Sequence, residues 1–541
     1  MFQKVRDDHQ RGTSWNAVFA HYYETQSTRE GVREVFAYTD RLSYCHEDAI
    51  NLHVSTSANR YNLRVFRDGL QPATVLEQDG IAGKFYRAPE NCSESGCGWL
   101  VSLSLKIGQN WRPGVYVVET SVSGGGGTEF VHHHLFVLRS RPMGERGNRI
   151  LLIAATCTWS AYNEWGGSSH YEGISGDGSQ YSPVLSLRRP FSRGLIQLPV
   201  DAPRVPLRDP PSIQEAPGYP HMEWAYENGY SKKYASAGWA SYERLFVVWA
   251  ERNGYALDVI TQHDLQYHPE LLDGYSCICM VGHDEYWTWQ MRDAVDEYLE
   301  RGGNAARFAG NFLWQIRLED EGNRQICYKY RAFGEDPLYQ SGSQRFTTTF
   351  WEAAAVNRPG AQTFGLNASR GVYAGWAGCC PRGPGGFTVY RPEHWSFAHT
   401  GLGYADMFGA DSKVFGYEVD GLDYTFENGL PAPTGTDGAP KGISILAMSP
   451  ATLDEHAPDG YNGDLFIGQD DVNAAATALY GSASPEHTER LKRGSGMVVT
   501  FTKGKGQVFH AGTCEWVSGL KDSDPYVEQI TRNVLDRFLR T

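Results

Sequence analysis

The sequence predicts an N-terminal antiparallel β-sandwich followed by a parallel-sheet α/β domain, and three observations carry that reading. Between 32 and 145, short segments alternate apolar and polar residues and are separated by Gly, Asn, Asp and Pro, the period-two pattern of paired antiparallel strands. From 147 onward, continuous apolar runs alternate with amphipathic helical patterns, as strands buried on both faces of a parallel sheet do. The 541 residues, at about 100–200 per domain, suffice for both units and a large core.

Taken in order, residues 1–31 read as a polar lead-in. The sandwich strands are REVFAYTD, AINLHVSTS, YNLRVFRDG, WLVSLSLKI, GVYVVETSV and TEFVHHHLFVLRS, with the loop Gly124-Gly125-Gly126-Gly127 between the last two. The run His132-His133-His134 lies inside the final strand. Neighbouring strand side chains point to opposite faces, so the three cannot converge on one metal and are read as structural or surface histidines. The α/β region opens with Arg149–Ala155, an apolar strand. It continues as SYERLFVVWAERNGY before ALDVI, and SCICMVGH before WQMRDAVDEYLERGG, ending in the strand NAARFAGNF. Strand and helix in alternation with short links imply right-handed crossovers. A long aromatic, Pro-rich insertion, 165–240, separates the first strand from its helix. Residues 326–541 are a Gly- and aromatic-rich elaboration of the same domain. They end in a hairpin pattern, GMVVTFTKGKGQVFHAGT, and an amphipathic helix, DPYVEQITRNVLDRFL, expected to pack on the sheet.

Composition limits the partners. The net charge of −14 argues against nucleic acid and anionic membranes. No apolar run of about 20 residues offers a spanning helix, and the N-terminus lacks the apolar core of a secretion signal, so a cytoplasmic location is expected. The ten cysteines have no zinc-finger spacing; Cys92 and Cys97 flank a Ser/Gly loop and could pair, but reduced structural thiols are the expectation. With 15 Trp, 31 Tyr and 24 Phe, ring-lined pockets are expected.

Polar residues gather where the buried strands stop, the place ligands bind in open α/β sheets. Cys157–Gly167 follows the first strand and contains Tyr162. Gly282-His283-Asp284-Glu285-Tyr286-Trp287 ends another, with metal-ligand or acid–base side chains in a row. Ala309-Gly310-Asn311 ends the next, and Phe415–Asp420, with Glu418, stands in the tail. Each alone also reads as a turn or a helix cap; three successive strand ends carrying such side chains favour a site.

AYNEWGG, GHDEYW, AGNFLW, GYEVDG and the closing GQVFHAGTCEW…QITRNVLDRF resemble the large-subunit family of N,N-dimethylformamidase, from about Tyr38 to the C-terminus. The resemblance implies an amidohydrolase with a mononuclear iron held by two tyrosine phenolates and a glutamate, in an α/β domain similar to class I glutamine amidotransferases. Carried onto this sequence, it makes Tyr162 one phenolate and Glu285 the carboxylate ligand. It puts His283, Asn311 and Glu418 in the substrate pocket. The second phenolate has no matching motif; Tyr219, Tyr226 and Tyr230 are candidates, and Tyr226 is taken. The family's separate small subunit is an implied partner, and a homo-oligomer is expected.

The implied chemistry is coherent. Phenolate and carboxylate oxygens suit Fe(III), a Lewis acid that hydrolyses without redox cycling. Glu418 or His283 would serve as general base and proton shuttle, and Asn311 would steady the oxyanion. Trp159, Trp165, Trp287 and Trp314 would wall the pocket around a small amide. Three other readings stand: a cysteine hydrolase using Cys157, a glycosidase using Glu285 and Glu418 as its carboxylate pair, and a non-catalytic ligand-binding protein on the same fold.

Overall fold

The computed structural model describes residues 23–123, 129–140, 148–171, 173, 182–203, 220–371, 385–452 and 469–540. Most of the lead-in, the Gly124–Gly127 loop and Tyr219 lie outside them. The architecture is β plus α/β.

A three-stranded sheet of β1 (Val35–Thr39), β3 (Ala49–Thr56) and β6 (Leu103–Lys106) shares its core with a five-stranded one. The latter runs β2 (Ser43–Tyr44), β8 (Glu129–Leu138), β7 (Gly114–Ser123), β4 (Arg60–Arg67), β5 (Ala73–Ala82). All pairs are antiparallel except the short β2 beside β8. Alternate residues, among them Val35, Leu52, Val65, Val118 and Phe136, form the common core, as the period-two pattern requires. The histidine run obeys the same alternation. His132 and His134 are buried, with His132 Nε2 2.9 Å from Phe191 O, while His133 turns outward to Glu119 at 3.1 Å.

The second unit is built on one nine-stranded sheet. Five parallel strands stand in the order β11 (Ala256–Thr261), β9 (Arg149–Ala154), β12 (Cys277–His283), β14 (Asn304–Gly310), β23 (Gly506–His510). The antiparallel strands β22 (Arg493–Lys503), β21 (Ser444–Thr452), β17 (Phe387–Val389) and β18 (Met407–Phe408) extend them. The closing hairpin β22–β23 thus inserts into the sheet, with β23 parallel to β14. A small sheet of β10 (Val184–Ser186), β16 (Arg324–Ile326), β15 (Trp314–Glu319) and β13 (Tyr286–Thr288), and a hairpin β19 (Tyr424–Glu427)–β20 (Leu430–Pro433), stand apart from it.

The helices that pack on these sheets or join them include α1 (Cys92–Ser95), α2 (Thr156–Tyr162), α3 (Pro220–Asn228), α4 (Glu243–Arg252), α5 (Gln262–Tyr267), α6 (Trp289–Arg301) and α7 (Pro525–Arg540). Apolar residues fill both faces of the parallel strands: Leu152 faces a core with Phe246 of α4 and Val534 of α7, whereas Leu151 faces one with Leu265 of α5 and Val295 of α6. The stripe Val527, Ile530, Val534, Leu535, Phe538 is buried, each side chain contributing roughly 1.5–3 kcal/mol. Thr288 caps α6 by accepting from Met291 N at 3.2 Å, and Gly302, at φ 114°, ends it in the left-handed region. Among the described residues, no helix is long and apolar enough to cross a membrane.

Strand order fixes where a site can form. From β9 the chain steps to β11 on one side and then to β12 on the other, so the direction of winding reverses between β9 and β12. Loops leaving their carboxyl ends part there and open a crevice. One buried ion pair braces this edge: Arg307 of β14 bonds the Asp284 carboxylate, and its Nη2 donates to Asp284 O at 3.0 Å. Both residues are at most 1% exposed. Asp284→Ala should leave a buried guanidinium unpaired and cost about 3–5 kcal/mol, which denaturant unfolding would measure.

Glu243 at the start of α4 is buried beneath the same edge, accepting from Ala155 N at 3.0 Å and Trp159 Nε1 at 3.1 Å. Burial pushes its carboxyl up to about 8. A raised carboxyl pKa favours the protonated fold: its contribution is intact below the unfolded value near 4.5, declines as pH rises, and is gone above about 8. Thermal unfolding followed from pH 5 to 9 should show stability falling on the order of a few kcal/mol from this group. Glu243→Gln should flatten that slope.

Candidate active site

Register brings the predicted residues together. β12 and β14 pair from Cys277 opposite Asn304 to His283 opposite Gly310, so Glu285 and Asn311 emerge side by side. Two glycines permit the close packing. A side chain on Gly282, at φ 76°, would meet Tyr242 Cβ at 2.4 Å; one on Gly310 would meet Glu418 O at 2.6 Å and Cys514 N at 2.7 Å. The tail segment 415–420 can therefore lie directly on the end of β14, where Asp420 Oδ1 accepts from Asn311 N at 2.8 Å. Burial raises the Asp420 carboxyl to about 6.

At the centre is His283, at most 1% exposed. Its Nε2 lies 2.6 Å from Glu418 Oε2 and 3.3 Å from Glu285 Oε2, and its Nδ1 lies 2.7 Å from Ser236 O. Burial would push the imidazole down, but the Glu418 and Glu285 charges outweigh it, and the ring is held protonated. Glu285 in turn resists burial through His283, Lys329 and Tyr171, and stays below the usual carboxylate range. Asn311 Nδ2 donates to Glu418 Oε2 at 2.5 Å, whereas its buried Oδ1 has no partner among the described residues.

The Glu285 carboxylate gathers two donors besides His283: Tyr171 OH lies 2.9 and 2.8 Å from its two oxygens, and Trp314 Nε1 donates at 2.6 Å; the Glu285 backbone N–H donates to Thr158 Oγ1 at 2.9 Å. Tyr162, delivered by α2 from the end of β9, packs at a tilt against Tyr171 with centroids 4.5 Å apart and edge-on against His283 at 5.2 Å. Burial, then Glu285 and Tyr171, keep its phenol protonated, well above its usual value. Lys329 Nζ sits 3.3 Å from the Tyr171 ring centroid, and Lys233 Nζ 5.4 Å. Asn311, Lys329 and Tyr417 all have positive φ, 61°, 49° and 52°; such strained backbone concentrates at functional sites.

Tyr162, His283, Glu285, Asn311, Glu418 and Trp314 thus form one cluster. The other tryptophans pack elsewhere: Trp165 with Phe36 and Trp99, Trp287 with Phe312 and Phe364, and Trp159 against Trp239. Tyr226 stands half-buried on α3, in the insertion. Tyr171 and Lys329 lie in no motif, and sequence patterning does not single them out. The hint was the Gly166-Gly167 turn, both glycines at positive φ, which reverses the chain so that His170 N donates to Ala161 O at 3.0 Å and Tyr171 returns beside Tyr162.

The donor chemistry fits a hard cation. Tyr171 OH meets both Glu285 oxygens through a proton that a trivalent ion would displace, and the Tyr162 ring lies against Tyr171; phenol and carboxylate oxygens are the donors such an ion prefers. A second set, His283, Glu418 and Cys514, has its ligand atoms within 4.8 Å of one another. Cys157 is fully buried, its thiol raised well above the ordinary value by burial, which weakens a cysteine nucleophile. Glu285 and Glu418 both touch one imidazole nitrogen, so His283 fills the space between the two carboxylates where a glycosidase pair would hold its sugar.

Acid, base and phenol side chains thus gather at the winding reversal of a parallel sheet, where ligand and active sites of such folds usually form. Comparison with known proteins narrows the class. The family model for N,N-dimethylformamidase beta subunit-like proteins, C-terminal part, matches residues 60–530, and the chain belongs to that family. The N,N-dimethylformamidase beta subunit of Paracoccus aminophilus is 23% identical over 545 residues, covering 90% of this chain and 61% of that one. The beta subunit of an Alcaligenes species is 23% identical over 556 residues with the same coverage. The chain spans about three fifths of the length of these relatives. Among solved structures, the sporulation control protein Spo0M of Bacillus subtilis shares 14% identity over 21% of this chain and 51% of its own, with a TM-score of 0.16, too slight to carry an argument.

Proposed function

We propose that this chain hydrolyses the C–N bond of a small amide of the N,N-dimethylformamide type, at a mononuclear Fe(III) held by Tyr162, Glu285 and a second tyrosine. The observation supporting it most is the approach of Tyr171 to both Glu285 oxygens, at 2.9 and 2.8 Å, beside Tyr162. Tyr171 therefore stands ahead of Tyr226 as the second phenolate. When bound, the ion would supply Lewis acidity toward the amide carbonyl.

The chain's own residues handle the protons. Glu418 accepts one from the attacking water. His283, protonated and bonded to Glu418, gives one to the leaving amine and recovers it from Glu418. Asn311 orients Glu418 through Nδ2 and leaves its buried Oδ1 without a partner among the described residues. Trp314 walls the site and fixes Glu285. Lys329 and Lys233 lie against the Tyr171 ring, 3.3 and 5.4 Å from its centroid, and help to hold it in place. The relatives are named as beta subunits, and a separate smaller subunit is the proposed partner, with self-association and a cytoplasmic location.

Metal analysis with a visible spectrum tests the reading. About one iron per chain and a phenolate-to-iron charge-transfer band are expected. Active, colourless protein holding zinc would overturn it in favour of the His283–Glu418–Cys514 set, whose nitrogen, oxygen and sulfur donors suit zinc.

A further inference from the structure

We propose that Cys92 and Cys97 form a dithiol that hydrogen peroxide converts to a disulfide, and that this link stiffens the loop 163–171 leading to Tyr171. The two cysteines lie in one buried cluster, Cys92 opening a one-turn helix and Cys97 following its end. Both are 2% exposed, in an aromatic box of Phe36, Tyr38, Trp99 and Trp165. The chain between them is already closed: α1 ends with Gly96 N donating to Cys92 O at 2.9 Å, and Cys97 N donates to Arg188 O at 2.9 Å. A disulfide therefore joins two points that the fold has brought together.

The pair bears directly on the loop after Tyr162. A side chain on Gly166 would lie 2.5 Å from Cys92 Sγ, and that sulfur is 4.0 Å from Gly166 O. Beneath lies Arg189, 1% exposed, whose guanidinium donates to Asn163 O at 2.9 Å, Ser168 O at 3.0 Å, Ser186 O at 3.0 Å and Trp165 O. All four acceptors are uncharged carbonyls, so a Cys92 thiolate would be a close counter-charge. The Cys97 hydrogen bond, with Arg189 assisting, holds the Cys92 thiol below its ordinary range, the condition for attack on peroxide. The cover is thin: α1 is a single turn, and Asn91, Glu94, Ser95 and Gly98 around it are exposed, so local opening admits a small oxidant.

The chemistry balances. The Cys92 thiolate attacks one peroxide oxygen, breaking the O–O bond; sulfenic acid forms and the other oxygen leaves as water after protonation. The Cys97 sulfur then attacks the sulfenic sulfur, the S–S bond forms, and the sulfenic oxygen leaves as a second water. Two thiols are oxidised by two electrons and one peroxide is reduced to two waters.

The full chain would be treated with hydrogen peroxide, alkylated under denaturing conditions and peptide-mapped, with hydrogen exchange followed in parallel. We expect the peptides bearing Cys92 and Cys97 to be linked, with a loss of about 2 Da, and slower exchange across 163–171. In Cys97→Ser, Cys92 should stop at a sulfenic acid trapped by dimedone. If that variant does not fold, mapping of the native chain decides alone. Both thiols still alkylatable after peroxide that fully oxidises added glutathione would overturn the proposal. So would a disulfide that leaves exchange in 163–171 unchanged.

Discussion

Glu285→Ala is expected to remove both the bound metal and measurable amide hydrolysis. The carboxylate is the meeting point of the cluster, receiving Tyr171 OH, Trp314 Nε1 and the His283 imidazolium. It is also the one ionised oxygen donor of the proposed set, since burial keeps the Tyr162 phenol protonated. Without it, the negative charge that draws a cation there is lost, and three donors, two of them buried, lose their acceptor. Glu285→Gln keeps the shape and removes only the charge, which separates ligand loss from collapse. Metal content, the visible band and kcat/KM should fall together in both variants, with circular dichroism retained in Glu285→Gln. Iron and its band persisting in Glu285→Ala would sink the assignment of this carboxylate.

The features legible in the sequence are the local ones. Alternation in 114–123 and 129–138 is a property of neighbouring residues, and it emerges as β7 paired with β8. Seven consecutive residues are buried in each of β12 and β14; in β12 this shows as the apolar run Cys277–Val281, while β14 carries Asn304 and Arg307 among its apolar residues. Because parallel strands in register end together, His283, Glu285 and Asn311 can be grouped from the sequence alone. Long-range return was not legible. Tyr171 reaches Glu285 across 114 residues through a glycine turn and a Ser-rich stretch with no periodicity. Lys329 arrives from a short helical turn after β16. The tryptophans show the opposite error of scale: Trp165 is adjacent in sequence to the site segment, yet chain reversal buries it under the sandwich beside Phe36. Proximity in sequence predicted the edge of the sheet, and only the tertiary packing decided which rings face the crevice.

Glu418→Gln should separate chemistry from assembly. Glu418 shares the His283 Nε2 with Glu285, lying 2.6 Å from it, and is 2.5 Å from Asn311 Nδ2. It is outside the proposed donor set, so the metal and its visible band should remain. The amide cannot accept a proton from water, nor return one to His283. Losing a general base of this kind slows the chemical step by about 10²–10⁴-fold, here in kcat with KM little changed, because the interaction matters only as the proton moves. The substitution also removes the largest influence holding His283 protonated against burial. The imidazole should then titrate at lower pH, and the residual rate should fall as pH rises through that new value, the acid needed by the leaving amine being lost. Full kcat in Glu418→Gln would remove the residue from the mechanism. Loss of metal along with kcat would instead make Glu418 part of the ligand set, with His283 and Cys514 as its natural companions.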